Sequence, residues 1–162
     1  MAIFIDANKN SWSISLNVRK LKGIRDSVRD KSGKQVDLME TVNDKLVFTL
    51  LSDPCLVGDI LWYLSKDQAG TLKISKETFL DSLWGEYLEA GTEALIEALS
   101  DFFPMSEKMT LQKIVEATKQ ILQAAKERGV NEMNSQAKQI AAMTTEELQS
   151  KAQQTLANGS GR

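Results

Sequence analysis

Apolar and polar side chains alternate near the N-terminus with the period of a β-strand. Residues 12–16 read Trp-Ser-Ile-Ser-Leu, and an earlier apolar run covers residues 2–5. Residues 6–10 lie between them and, apart from Ala7, are polar types that suit turns. The pattern therefore predicts a two-stranded hairpin. Because an isolated hairpin is only marginally stable in water, we expect helices to pack against its apolar face.

From residue 17 the apolar positions recur every three or four residues, which is the period of an amphipathic helix. The first helix begins after Asn17, an expected N-cap, and ends in the turn at residues 31–34. Its expected apolar face consists of Val18, Leu21, Ile24 and Val28.

Four more helices are predicted before residue 104. Apolar residues at 46–51 mark the second, and Asp53 caps the third, which has a proline in its first turn. The fourth is short and opens at Ser75, and the fifth runs from about Gly85 to Phe103. The third helix is expected to bury Leu56, Val57, Ile60, Leu61 and Leu64.

Beyond Pro104 the chain changes character, because it has no aromatic residue and is rich in Ala, Gln, Lys and Glu. We expect two or three helices here, with one helix ending at Gly129 and another beginning at Thr144, which has capping-box spacing to Glu147. The first of them carries a narrow apolar stripe of Leu111, Ile114, Val115, Ile121, Leu122 and Ala125.

These patterns predict an α+β fold that is mostly α: an N-terminal β-hairpin packed on a helical bundle, with a C-terminal helical extension. Pro104 is the expected domain boundary. Residues 1–104 should form a compact domain, residues 105–157 an amphipathic helical extension, and residues 158–162 a flexible tail.

The composition excludes several kinds of catalytic and metal site, because histidine is absent and Cys55 is the one cysteine among 162 residues. Ser-His and Cys-His pairs are therefore excluded, as is a zinc site built from the usual ligands. The net charge of −2 argues against a nucleic-acid partner. Apolar runs are too short for a membrane span, and no signal peptide is evident. We therefore expect no enzyme activity, no cofactor and no metal.

Two segments of the chain, and the order of the elements around them, resemble the sequences of a known protein family. Residues 83–104 read Leu-Trp-Gly-Glu-Tyr-Leu-Glu-Ala-Gly-Thr-Glu-Ala-Leu-Ile-Glu-Ala-Leu-Ser-Asp-Phe-Phe-Pro, and residues 53–64 read Asp-Pro-Cys-Leu-Val-Gly-Asp-Ile-Leu-Trp-Tyr-Leu. Upstream lie a strand with Trp12, a basic helix and a Val-Asp-Leu element at residues 36–38. Over roughly residues 3–104 this series resembles the small tail assembly chaperones of tailed phages and prophages.

The resemblance implies a protein that holds the tape measure protein while the tail tube polymerises around it. The implied partners are the tape measure protein and the tail tube protein, with self-association as a further partner class. The implied location is the cytoplasm of the infected or lysogenic bacterial host. The alternative is a structural component of the virion, such as a neck, tail-completion or baseplate protein.

Two surfaces are predicted to bind a partner. The fifth helix places four glutamates along one face: Glu86, Glu89, Glu93 and Glu97. They are either a solvated face or a surface for a basic segment, which is Lys22, Arg25 and Arg29 of the same chain or a partner. The second surface is the stripe of Leu111, Ile114, Val115, Ile121 and Leu122, which packs on a partner helix, on another copy of the chain or on the N-terminal domain of the same chain.

The three tryptophans differ in their expected exposure. Trp12 and Trp62 are expected to pack in or near the core. Trp84 lies at a helix junction between Leu83 and Gly85, where exposure is expected, and tryptophan is a common anchor of protein interfaces.

Overall fold

The N-terminus forms the predicted hairpin. The computed structural model describes residues 1–39 and 44–159, with side chains for residues 1–39 and 47–136. Strand β1 (Ala2–Ile5) pairs antiparallel with β2 (Ser11–Ile14), so that Phe4 lies opposite Trp12. One face of the hairpin is buried, and its side chains are Ala2, Phe4, Trp12 and Ile14.

Six helices follow in the described residues, which confirms a mostly helical α+β fold. Their bounds are α1 (Val18–Ser27), α2 (Asp44–Ser52), α3 (Pro54–Leu72), α4 (Lys76–Asp81), α5 (Gly85–Phe102) and α6 (Met105–Gly159).

Local capping chemistry starts three of these helices where the sequence predicts. The side chain of Asn17 accepts a hydrogen bond from the backbone N–H of Lys20 at 2.9 Å. Asp53 accepts one from Leu56 at 3.1 Å at the start of α3, and Pro54 occupies the first turn. Ser75 caps α4 in the same way. Each cap satisfies an N–H that the helix itself leaves without a partner.

The hairpin is held between α3 and α5. Its buried face packs on α5, with Phe4 next to Gly91. On the α3 side the amide of Gln68 accepts from the backbone N–H of Ser13 at 3.1 Å and donates to its carbonyl at 2.6 Å. Because Gln68 occupies both backbone groups of Ser13, it fixes β2 against α3 as a neighbouring strand would.

Trp12 lies at the centre of this packing and is fully buried. Its ring meets Phe79 of α4 edge to face, with the ring centres 4.9 Å apart, and Phe79 also contacts the half-buried Trp62. The core locations of Trp12 and Trp62 are as expected from the sequence.

A buried carboxylate joins the hairpin turn to the end of α4. Asp6 accepts hydrogen bonds from the indole N–H of Trp12 at 2.8 Å, from Asn10, and from the hydroxyl of Ser82 at 3.2 Å. The backbone N–H of Ala7 also donates to the carbonyl of Ser82 at 3.2 Å. Burial raises the pKa of Asp6, but the hydrogen bonds outweigh it and leave the pKa below its ordinary value.

Two expectations about helices are wrong. Val18 is 73% exposed, because it occupies the first position of α1 and only Leu21, Ile24 and Val28 reach the core. Residues 105–159 form one helix rather than two or three, so Gly129 does not end a helix and Thr144 does not begin one. A glycine costs a helix only about 1 kcal/mol, and the surrounding Ala, Gln, Lys and Glu are strong helix formers.

The chain divides into two compact units, residues 1–119 and 120–162. The first unit therefore includes the beginning of α6 in addition to the predicted domain of residues 1–104. The second unit contains the rest of α6. Of the predicted flexible tail, Asn158 and Gly159 belong to α6, and residues 160–162 lie outside the described residues.

The close approach of α5 to α3 generates a first prediction. A Cβ atom added at Gly91 would lie 2.7 Å from a methyl carbon of the buried Leu61, whereas one added at Gly70 in α3 would meet nothing. Gly91→Ala should therefore lower the free energy of unfolding by about 1–3 kcal/mol. Gly70→Ala should raise it by about 0.5–1 kcal/mol, since alanine favours a helix. Urea denaturation measures both, and an equal response would contradict the packing.

The carboxylate of Asp6 generates a second prediction. Asp6→Asn should lower the free energy of unfolding at pH 7 by about 1.5–3 kcal/mol, because an amide cannot accept from all of these donors. Since the folded pKa lies below the ordinary 3.8, the carboxylate stabilises the fold fully above that pH and less as the pH falls through its folded value. The difference between the wild type and Asp6→Asn should shrink over that acidic range.

Denaturation at a series of pH values tests this. Asp30→Asn is the control and shows how much a hydrogen-bonded carboxylate outside the Asp6 network contributes over the same pH range. Hydrogen bonds from Ser32 and Lys34 also lower the pKa of Asp30, but this residue lies in the turn after α1 and outside the Asp6 network. A stability difference for Asp6→Asn that does not change with pH would show that the charge of Asp6 is not what holds the turn.

Candidate protein-binding surface

Helix α5 separates a buried face from an acidic one. Its buried residues are Gly91, Ala94, Leu95, Ala98, Leu99 and Ser100. The predicted set of Glu86, Glu89, Glu93 and Glu97 lies on the opposite side and is exposed throughout. Successive members are three or four residues apart, so the four carboxylates share one stripe that extends over about 16 Å of helix axis. We call this set the acidic stripe.

One member of the acidic stripe is paired within the chain. The ammonium group of Lys119 lies 3.1 Å from a carboxylate oxygen of Glu93. Among the described side chains, no ammonium or guanidinium group lies within 4.0 Å of the carboxylates of Glu86, Glu89 or Glu97. Three like charges at helical spacing repel each other mildly, so a cation placed beside them would be favourable.

The basic residues of α1 do not pair with the acidic stripe in the described structure. Arg25 pairs with Asp37 at 3.4 Å. Arg29, which follows the end of α1, donates to backbone carbonyls there, including those of Arg25 and Val28. The alternative in which Lys22, Arg25 and Arg29 neutralise the stripe is therefore not realised by these contacts.

The carboxylate at the far end of α5 is neutralised locally. Asp101 lies 3.1 Å from the ammonium of Lys108 and 3.3 Å from the N-terminal amino group. The hydrogen bond from Lys108, followed by that from the amino group, holds the pKa of Asp101 below its ordinary value. Uncompensated negative charge is thus concentrated on the acidic stripe rather than at this end of the helix.

An exposed tryptophan lies at the start of α5 and contacts the half-buried Tyr87. Trp84 is 59% exposed, as predicted, and meets Tyr87 edge to face with ring centres 5.2 Å apart. Trp84 occupies the N-cap position of α5 but makes no side-chain capping bond. The residue types that cap helices stabilise them by about 1 kcal/mol at this position. Trp84 does not provide this stabilisation, and its side chain lies outside the core.

The predicted stripe on α6 is divided by the structure. Leu111 and Val115 are buried in the core, and Ile114 packs against that core. For these residues the structure adopts the alternative in which the stripe packs within the chain, because the start of α6 belongs to the first compact unit. Ile121, in the second unit, is 62% exposed, and Leu122 is half-buried.

In residues 1–39 and 44–159, no helix is long and apolar enough to cross a membrane. Residues 1–39 and 47–136, whose side chains the structure describes, contain no cluster of metal-ligating side chains. Comparison of the chain with protein-family models, with curated proteins and with solved structures finds no match.

The division of the α6 stripe generates a third prediction. Leu111→Ala should lower the free energy of unfolding by about 2–5 kcal/mol, because it leaves a cavity in the core. Ile121→Ala should change it by less than about 0.5 kcal/mol, since that side chain is largely in solvent. Thermal and urea denaturation measure both variants. Equal effects of the two variants would contradict the conclusion that Leu111 lies in the core and Ile121 does not.

Proposed function

We propose that this chain is a tail assembly chaperone of a tailed phage or prophage, which binds the tape measure protein while the tail tube assembles around it. The observation that carries the proposal is the series of elements between residues 3 and 104. A hairpin with a buried Trp12 precedes the basic α1, and an Asp-Pro start precedes α3. Helix α5 then follows, which is the order expected from the resemblance.

The Val-Asp-Leu element adds to this support. Val36 and Leu38 are buried in the core, while Asp37 between them pairs with Arg25 of the basic helix. The alternation of buried and half-exposed side chains ties the segment after α1 to the rest of the compact unit. The element that is part of the resemblance therefore has a definite structural role.

The physical task of such a chaperone is to cover apolar helical surface on a long chain until tube subunits replace it. Release of the tape measure protein requires moderate affinity. Ion pairs between exposed charges are weak because solvent and salt screen them, so they suit such binding. The acidic stripe on helix α5 would pair with basic side chains beside the apolar surface, while exposed apolar side chains of this chain, such as Trp84, would cover that surface. The protein would act in the cytoplasm of the bacterial host, where tail tubes are built, and the tail tube protein is a second proposed partner.

Coexpression with the tape measure protein encoded in the same genome provides a fourth prediction. Fragments of that protein should copurify with this chain and should remain in solution at higher yield than when expressed alone. The expected physical reason is that their apolar stripes are covered. A coiled-coil segment of equal length from an unrelated protein serves as the control and should not copurify.

Mass spectrometry of purified phage particles separates the chaperone from a virion component. A chaperone leaves before the tail is complete, so the chain should be absent from particles or far below the copy number of tail proteins. If the chain is present at a fixed symmetric stoichiometry and no tape measure fragment copurifies with it, the chaperone proposal is wrong and a neck, tail-completion or baseplate role replaces it.

A further inference from the structure

We infer that the outer edge of strand β1 binds an extended segment of a different protein, which adds a third strand to the hairpin. We call the backbone N–H and C=O groups of Ile3 and Ile5, together with their side chains, the β1 edge. The bound segment alternates apolar residues with basic ones. This surface is separate from the proposed function, because its partner is extended whereas the proposed tape measure segments are helical.

The backbone groups of the β1 edge point away from β2. Both backbone groups of Ser13 bond to the amide of Gln68, so they face away from β1. Ile3 is paired with Ser13, and the two members of such an antiparallel pair turn their backbone groups outward together. Ile5 follows by the two-residue period of a strand. No described residue forms a hydrogen bond with these outward groups of Ile3 or Ile5.

The two edges of the hairpin differ. Gln68 closes the edge of β2, whereas the β1 edge lacks the usual devices that protect a strand edge. Residues 2–5 read Ala-Ile-Phe-Ile, without a charge or a proline, and their pairing contains no bulge. The side chains of Ile3 and Ile5 are 59% and 54% exposed. Because the edge is both unpaired and apolar, the occupant that its chemistry specifies is another strand.

The position of α5 leaves room for one more strand. Helix α5 packs mainly on β1 and much less on β2. A helix is about 10 Å wide and neighbouring strands are about 4.8 Å apart, so one helix covers about two strands. Since α5 lies beneath the outer strand rather than beneath the middle of the hairpin, part of its width extends beyond β1. A third strand would cover that part.

The same position argues against a second copy of this chain as the occupant. Two β1 strands paired about a two-fold axis would lie about 4.8 Å apart, each with its own α5 beneath it. Packed helices need about 8–10 Å between their axes, so the two α5 helices would collide. An extended segment without a helix beneath it avoids this collision. We therefore assign the β1 edge to a strand from a different protein.

The flank of α5 beside the β1 edge determines the charge of the segment. Met1 lies two residues before Ile3, in the same phase of the strand, and its amino group lies 3.3 Å from Asp101. Glu97 lies about 40° around the helix from Asp101, and no described cation lies within 4.0 Å of its carboxylate. Alternate side chains of a strand point to opposite faces. Those that point towards α5 would therefore be Lys or Arg, and those beside Ile3 and Ile5 would be apolar.

Amide hydrogen exchange of the full chain, measured for each residue by NMR, is the first test. In the free chain the amides of Ile3 and Ile5 should exchange fast, whereas that of Phe4, which pairs with Trp12 within the hairpin, should exchange slowly. A synthetic peptide of about eight residues that alternates valine and lysine is then added. It should slow exchange at Ile3 and Ile5 saturably and leave Phe4 unchanged. The same peptide with glutamate in place of lysine should bind at least about fivefold more weakly.

N-methylated peptides test whether backbone hydrogen bonds bind the segment. One peptide carries the methyl groups on its valine amides, and the other carries the same number on its lysine amides. In a bound strand one of these two sets of N–H groups faces β1 and the other faces solvent. One methylated peptide should therefore keep the affinity of the parent within about threefold, and the other should lose at least about tenfold.

A matched pair of variants tests the same hydrogen bonds from the side of this chain. Ile3→Pro removes an N–H that faces solvent, a position at which edge strands tolerate proline, and should weaken peptide affinity at least about tenfold. Ile3→Val keeps the N–H and an apolar side chain and should change the affinity less than about twofold. Circular dichroism and melting temperature show whether each variant is folded. If Ile3→Pro does not fold, the methylated peptides with the wild type decide.

Three results would overturn the assignment. The first is slow exchange at Ile3 and Ile5 in the free monomer, which would show that the edge is already closed. The second is failure of the lysine peptide to slow that exchange, or equal affinities of the two methylated peptides. The third is a dimer in sedimentation equilibrium whose formation protects Ile3 and Ile5, because a second copy of the chain would then occupy the β1 edge.

Discussion

The carboxylate of Asp6 is the interaction on which the arrangement of the first unit depends. Its oxygens accept from Trp12, Asn10 and Ser82, and so one side chain closes the hairpin turn, orients the central tryptophan and ties both to the end of α4. Ser82 lies three residues before α5 begins at Gly85. A buried charge is costly without partners, so the site is stable only when all of these elements are in place together.

The parts of the fold that the sequence predicts are those determined by neighbouring residues. Asn17, Asp53 and Ser75 act within one helical turn of themselves, and the alternation around Trp12 is local as well. The exposure of Trp84 also follows from its immediate neighbours. These features require no knowledge of what else is near in space.

The remaining features depend on residues far apart in the chain. Gln68 and Ser13 are 55 positions apart, and Ser82 is 76 positions from Asp6. Local sequence periodicity therefore predicts neither contact. The stripe on α6 has one sequence pattern but two environments, because the first compact unit includes only its beginning. The acidic stripe was evident from spacing alone, whereas the partner of Glu93, Lys119, became evident only from the fold.

Helix α5 uses its apolar face within the chain, and we propose that its acidic stripe contacts the partner. Hydrogen–deuterium exchange of the full chain, alone and with a copurified tape measure fragment, tests this most directly. The proposal predicts slower exchange along the acidic stripe of α5, at residues 86–97, and no change in the hairpin, which packs within the chain. Protection confined to α1 or to the second unit, with residues 86–97 unchanged, would contradict it.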